Sequence, residues 1–145
     1  MKIRLLFMAA ILLGIAGCGR YDCKHPDTRK NRIGFLIMTG MNPDRGIKDI
    51  YVYFNCFNNT EAVYFMAFKA TPESARRIIR QRDLKKQDAS FQYKRFPVPQ
   101  SVSWWDEEKR KKSDLYYTYT GETCMFCHFW YDPETGNCQF MGVCR

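Results

Sequence analysis

Ile50-Tyr-Val-Tyr-Phe-Asn-Cys-Phe57 and Ala62-Val-Tyr-Phe-Met-Ala-Phe68 decide the fold: two runs of β-branched and aromatic residues, separated by the turn-forming Asn58-Asn-Thr-Glu61. Runs of this kind read as the two strands of a hairpin. Both are apolar on both faces, so both are expected to be central, covered strands. A second hairpin closes the chain. Thr123 to Tyr131 and Asn137 to Val143 flank Asp132-Pro-Glu-Thr-Gly136, which suits a type I turn ended by a left-handed glycine. Leu115 to Thr120 precedes them as a further strand, turning at Gly121-Glu122. If Asp132 faces Gly136, then Trp130 pairs with Cys138, His128 with Phe140 and Cys124 with Cys144.

One clear helix lies between the hairpins. Thr71 is a good N-cap, Pro72 occupies the first helical position, and Glu73 adds a favourable charge to the first turn. Ala75, Ile78 and Ile79 form its apolar stripe, and it is expected to end near Leu84 to Lys86. Ser103 is expected to cap a short helix running through Trp104 and Trp105 toward Lys112, after a loop from Gln87 to Gln100. Ile33 to Met38 is a short apolar run, followed by the turn-rich Gly40 to Gly46. Strands, helix, strands predicts an α+β domain over residues 33–145, an antiparallel sheet with one main helix packed on it.

The amino terminus has its own grammar. Lys2 and Arg4 precede an apolar stretch from Leu5 to Ile15, closed by the small residues Ala16 and Gly17, as in a secretory signal. This stretch is well short of the ~20 residues that span a bilayer. Ile15-Ala16-Gly17-Cys18 resembles the lipobox of bacterial lipoproteins. The resemblance implies that residues 1–17 are removed and that Cys18 is acylated and becomes the first residue of the mature chain. Because Gly19 rather than Asp follows the cysteine, it further implies the outer membrane, with the domain on the periplasmic side. Residues 18–32 are polar and charged and read as a lipid-anchored tether in which His25 is exposed to solvent. The rest of the chain is matched to no known family.

Once the signal is gone, the 23 basic residues fall to 21 against 15 acidic, a net charge of +6. Cys18 carries lipid, which leaves Cys23, Cys56, Cys124, Cys127, Cys138 and Cys144 in an oxidising compartment. An even number there predicts three disulfides, with fifteen connectivities open. The register above favours Cys124–Cys144 and puts Cys127 and Cys138 on opposite faces. If the four C-terminal cysteines are satisfied among themselves, Cys23 and Cys56 are left for each other, a bridge that would hold the domain close to the bilayer; pairing of Cys23 with one of the C-terminal cysteines is the alternative.

Cys124-Met-Phe-Cys-His128 resembles the haem-attachment site of c-type cytochromes. That resemblance implies Cys124 and Cys127 as attachment residues and His128 as axial ligand, with Met141 or an upstream Met as the second. The surroundings are those of a β-hairpin, whereas small cytochromes carry this motif on or beside a helix, so a monohaem electron carrier is the alternative reading and no cofactor is expected. Zinc held by Cys124, Cys127, Cys138 and Cys144 competes with oxidation. A thioredoxin-like pair needs a helix after Cys127, and none is predicted.

No Ser-His-Asp arrangement, nucleotide loop or carboxylate pair stands out, so no enzyme is expected. Trp104 and Trp105 are expected to plug the core rather than form a platform. The run Lys109 to Lys112, paired with Glu107 and Glu108, reads as a solvated helix face. Arg76, Arg77, Arg80 and Arg82, continued by Lys85 and Lys86, form a basic surface suited to an anionic envelope partner: lipid headgroups, a cell-wall polymer or an acidic protein, rather than nucleic acid. The expectation is a non-enzymatic binding module of the envelope, an accessory part or an inhibitor or immunity-type protein.

Overall fold

The computed structural model describes residues 21–56, 62–88, 91, 96–98, 102–119 and 124–144, the side chains of residues 124, 125 and 144 excepted. The signal segment 1–17, Cys18 and the turns expected at 58–61 and 121–122 lie outside the described residues. Among the described residues, three helices, α1 (Arg29–Thr39), α2 (Pro72–Gln81) and α3 (Glu107–Lys111), accompany six strands: β1 (Ile47–Cys56), β2 (Ala62–Ala70), β3 (Lys85–Lys86), β4 (Asp114–Thr118), β5 (Cys124–Tyr131) and β6 (Asn137–Cys144). All strand pairs are antiparallel, in the order β1-β2-β6-β5-β4-β3. The fold is α+β, as expected.

The predicted hairpin forms, but β1 is an edge strand, not a central one. Its apolar faces are explained by layers above and below the sheet. On one face, Phe35 and Met38 of α1 and Ala75 and Ile78 of α2 pack against Val52, Met66, Phe68, Phe129 and Phe140. On the other, Phe91, Phe96, Val98, Trp104 and Trp105 cover Val63, Phe65, Leu115, Phe126, Trp130 and Met141. That second cover comes from the long connection between β3 and β4.

Helix α1 falls where a tether was expected: it starts at Arg29 and crosses the boundary drawn at residue 32. Thr28 caps it by accepting from the Asn31 N–H, and Gly40 ends it at φ 73°. Upstream residues fold onto the edge of β1. The Asp27 N–H donates to the Ile50 carbonyl (2.9 Å), and the Asp27 carboxylate accepts from the N–H groups of Asp49 and Ile50. Asp49 itself stands at φ 58°, where the β1–β2 register is irregular. Edge strands expose unpaired backbone groups, and this lock occupies some of them.

Helix α2 begins as predicted, with Thr71 accepting from the Ser74 N–H, but it ends at Gln81. Asp83 adopts φ 48°, which turns Leu84 back into the core and lets Lys85 and Lys86 pair with Tyr117 and Tyr116. The cap of α3 is Asp106, not Ser103. Its carboxylate accepts from Glu108 and Lys109, because the two tryptophans in between are drawn onto the sheet.

The last hairpin closes one residue later than expected. Asp132 donates to the Asn137 carbonyl and Gly136 donates to the Asp132 carbonyl, so Gly136, at φ 72°, belongs to the loop. A Cβ there would lie 2.8 Å from the Ala70 carbonyl oxygen. Trp130 therefore pairs with Gln139 and His128 with Met141, not with Cys138 and Phe140. An irregularity between Cys124 and Phe126 then returns Cys124 to Cys144. The corrected register puts Cys127 and Cys138 on one face rather than two, opposite Gly142 and Tyr131 respectively. No disulfide joins Cys23, Cys56, Cys127 or Cys138 to one another. The Cys23 carbonyl is held by Trp104, which stacks on Tyr51, well short of Cys56 along β1.

Asn31 ties these parts together. It is fully buried, its Nδ2 donates to the carbonyls of Asp22, His25 and Ile50, and its Oδ1 accepts from the Asp22 N–H. Asn31→Ala should cost about 2–4 kcal/mol, since it strands buried carbonyls. The expected result is a lower denaturation midpoint, with loss of amide-exchange protection concentrated in residues 22–31 and β1.

Candidate binding cleft beside Trp104

The sheet face that carries even-numbered residues of β5 is built of rings. Trp105 meets Phe65 edge-on at 4.9 Å and Trp130 at 5.7 Å. The Arg110 guanidinium lies 4.6 Å from the centre of Trp105 and 5.3 Å from that of Trp130, close enough for cation–π attraction. Its Nη1 donates to Gln139 Oε1 (3.1 Å), and Gln139 Nε2 donates to the Asp106 carbonyl (3.0 Å). These contacts fix α3 and the tryptophan pair to β6. Trp105 thus plugs the core as expected.

Trp104 behaves differently. It stacks on Tyr51 (5.8 Å, 26° between planes), and its Nε1–H donates to the Cys23 carbonyl at 2.8 Å. Half-buried, it forms one wall of an open cleft of about 360 Å³ that also takes in Tyr51, Asp49, Lys69, Lys109, Asn137 and Gln139. The two ammonium groups are exposed, at 3.7 Å from Asp49 and Asp106. Those distances and that exposure make weak pairs. Hydrogen bonds from the Lys109 and Glu108 N–H groups hold Asp106 below the usual carboxylate range, partly opposed by desolvation. Aromatic wall, amide groups and exposed, weakly paired cations together suit a polar, negatively charged ligand. The sequence gives the tryptophans but not this cleft, because Lys69, Tyr51 and Trp104 meet only through the sheet and the connection between β3 and β4.

The cysteine motif is taken apart by strand geometry. Successive side chains of β5 alternate, so Cys127 faces the helices while His128 faces the aromatic layer. The two cannot serve one haem. Cys127 accepts from Arg82 Nη2 at 3.2 Å. Cys138, on the same face, lies four residues along β6 from Gly142, the partner of Cys127. Among the described residues, no three His, Cys, Asp or Glu side chains converge as a metal site. Burial pushes the Cys138 thiol well above its ordinary range, which keeps it protonated and unreactive.

His128 is fully buried, ringed by Phe91, Tyr119, Phe126 and Trp130 at 5.0–6.3 Å. His25, by contrast, is exposed as expected and bonded to Asp22 (2.8 Å). That contact and the N–H groups of Lys24 and His25, the Lys24 N–H foremost, bring Asp22 down to about 2. On α2, Arg76 and Arg80 are exposed, but Arg77 pairs with Asp44, and Lys86 pairs with Asp114 (3.1 Å). Its positive charge is partly answered. Comparison with protein-family models, with curated proteins and with solved structures finds no match to this chain.

Desolvation lowers His128 from 6.5 to about 4. The unfolded chain binds a proton that the native state refuses between those values, so stability is full above pH 6.5 and is lost as pH falls toward 4. The loss should reach about 3 kcal/mol. Chemical denaturation from pH 7 to 4.5 should show this slope, and His128→Phe, which keeps a ring among rings, should flatten it.

Proposed function

We propose that this chain is a lipid-anchored protein of the bacterial outer membrane, facing the periplasm, and that it is a non-enzymatic module binding an anionic cell-wall polymer. The lipobox Ile15-Ala16-Gly17-Cys18 supports the anchor. The observation that carries the binding reading is the cleft in which Trp104, held by its Nε1–H bond and stacked on Tyr51, adjoins the exposed ammonium groups of Lys69 and Lys109. Sugar rings pack against aromatic side chains, and the carboxylates of such a polymer are drawn to the lysines. An accessory envelope part and an inhibitor or immunity-type protein are both served by a module of this kind. The haem alternative draws no support from a strand that turns Cys127 and His128 to opposite faces. A staple remains part of the reading at one place: Cys124 and Cys144 are backbone partners at the open end of β5 and β6. Closing that loop would stabilise the domain by about 3 kcal/mol in the chain-entropy model.

The mature protein, purified in detergent, should sediment with isolated peptidoglycan sacculi. Trp104→Ala combined with Lys69→Ala should weaken that binding about ten-fold, while Arg80→Ser on the opposite layer leaves it unchanged. Equal binding by all three proteins would refute the cleft as the site. Intact mass should give an acylated chain beginning at Cys18, and Cys18→Ser should leave it unprocessed or release it from membranes. A mature terminus elsewhere, without lipid, would remove the anchor. Non-reducing peptide mapping should link Cys124 to Cys144 and to no other cysteine.

A further inference from the structure

Four large hydrophobic residues are exposed among the described residues, and three of them, Ile33 (46%), Leu36 (38%) and Ile37 (48%), share the outer face of α1. At 100° per residue, these three span an arc opposite the buried Asn31, Gly34, Phe35, Met38 and Thr39. Arg29, Lys30 and Arg32 lie on the same outer arc, all exposed. Cations in the first turn oppose the helix dipole, and α1 has no acidic residue there to offset them. Arg32 donates to the Pro43 carbonyl (3.2 Å) and pairs with Asp27, but helix stability does not explain the placement of Arg29 and Lys30. Arg29, Arg32, Ile33 and Leu36 also border a groove of about 480 Å³ with Asn42 and Pro43. Asp27 lines it too, but its carboxylate is turned to the β1 backbone and to Arg32.

We infer that the outer face of α1 docks on the bilayer, with Ile33, Leu36 and Ile37 entering the headgroup boundary and Arg29, Lys30 and Arg32 meeting anionic phospholipid phosphates. The inference rests on the lipid anchor proposed above, and it adds the face by which the anchored domain lies down. Two observations select a membrane as the occupant. The face combines an apolar patch with cations, the pattern of helices that lie in a membrane interface. The chain also enters beside it. Tyr21 fills the notch at Gly34, where a Cβ would meet its ring at 2.8 Å, and it contacts Phe54 and Tyr64 edge-on. Cys18 is three residues further back, at most about 10 Å of extended chain. Helical spacing sets Gly34 next to Lys30 and Ile37, so an acylated Cys18 would hold this side of α1 against the lipid surface. The α1 face, rather than α2, becomes the basic surface that meets headgroups.

The test uses the full mature lipoprotein reconstituted in phosphatidylethanolamine–phosphatidylglycerol vesicles, with photoreactive benzoylphenylalanine replacing Ile37 or, on α2, Arg80. Both positions are exposed, so neither replacement threatens the fold. Lipid adducts should form at least about five-fold more at position 37, and Arg29→Ser with Lys30→Ser should reduce them about five-fold or more. Equal yields at 37 and 80, or no adduct at 37, would overturn the proposal. So would adducts in isolated envelopes that migrate as polypeptide, which would assign the face to a protein partner. Acylation is read from intact mass on the same samples. Protein found without lipid is added to the same vesicles from outside, so failure of the anchor and failure of docking are separate results.

Discussion

A strand with no polar face cannot border water on either side, and β2, β5 and β6 are such strands. Apolar surface gains roughly 25 cal/mol for each Å² removed from water, so leaving either side bare would forfeit much of what holds the domain together. The remaining architecture answers this demand. Helices α1 and α2 close one side with Phe35, Met38, Ala75 and Ile78, and the connection from β3 to β4 closes the other with its aromatic residues. The three strands sit side by side at the centre of the sheet, and the chain reaches that arrangement by sending α2 across to the far edge before returning through β4, β5 and β6. The fully buried amide of Asn31 then fastens the amino-terminal segment, and with it α1, to the exposed edge.

What could be read from the residues was whatever local chemistry decides. Thr71 and Pro72 start α2 regardless of what it packs against, and runs of β-branched and aromatic residues pair as strands wherever they lie in the sheet. The fold class followed from these. Helix α1 was missed because its residues send opposing signals: Gly34 lowers helix propensity, Ile33 and Ile37 favour strands, and its apolar positions run around the whole helix instead of forming one stripe. The bracketing Thr28 and Gly40 were the available signal. The shifted register of the last hairpin turned on one glycine, whose carbonyl is held by the Ala70 N–H of a neighbouring strand, a contact no local pattern announces.

The cysteine motif shows how a spacing changes meaning with its secondary structure. Residues i, i+3 and i+4 converge on one side of a helix but are dealt to both sides of a strand. On β5 the result is Cys127 among the helices and His128 in an aromatic layer that keeps it neutral down to about pH 4. The candidate cleft was illegible for the opposite reason. Its parts come from β1, β2, the β3–β4 connection, α3 and β6, and none of them is distinctive alone; of the two half-buried tryptophans, it is Trp104 that borders the cleft.

The two surfaces singled out here lie on different sides of one sheet, and β1 shows why. Ile50 and Val52 point into the layer beneath α1, while Tyr51 between them points the other way and stacks on Trp104. A domain resting on the outer face of α1 would therefore present Trp104, Lys69 and Lys109 away from the bilayer. The separation is enforced by strand alternation, not by a hinge, so it holds as long as β1 keeps its place beside β2. If the chain is anchored at Cys18 as proposed, a polymer site can face outward only where the fold itself supplies that distance, and the thickness of a covered sheet would do so. The lock of Asp27 and Asn31 on Ile50 thus serves both surfaces at once: it fixes α1 on one side and aligns Tyr51 on the other.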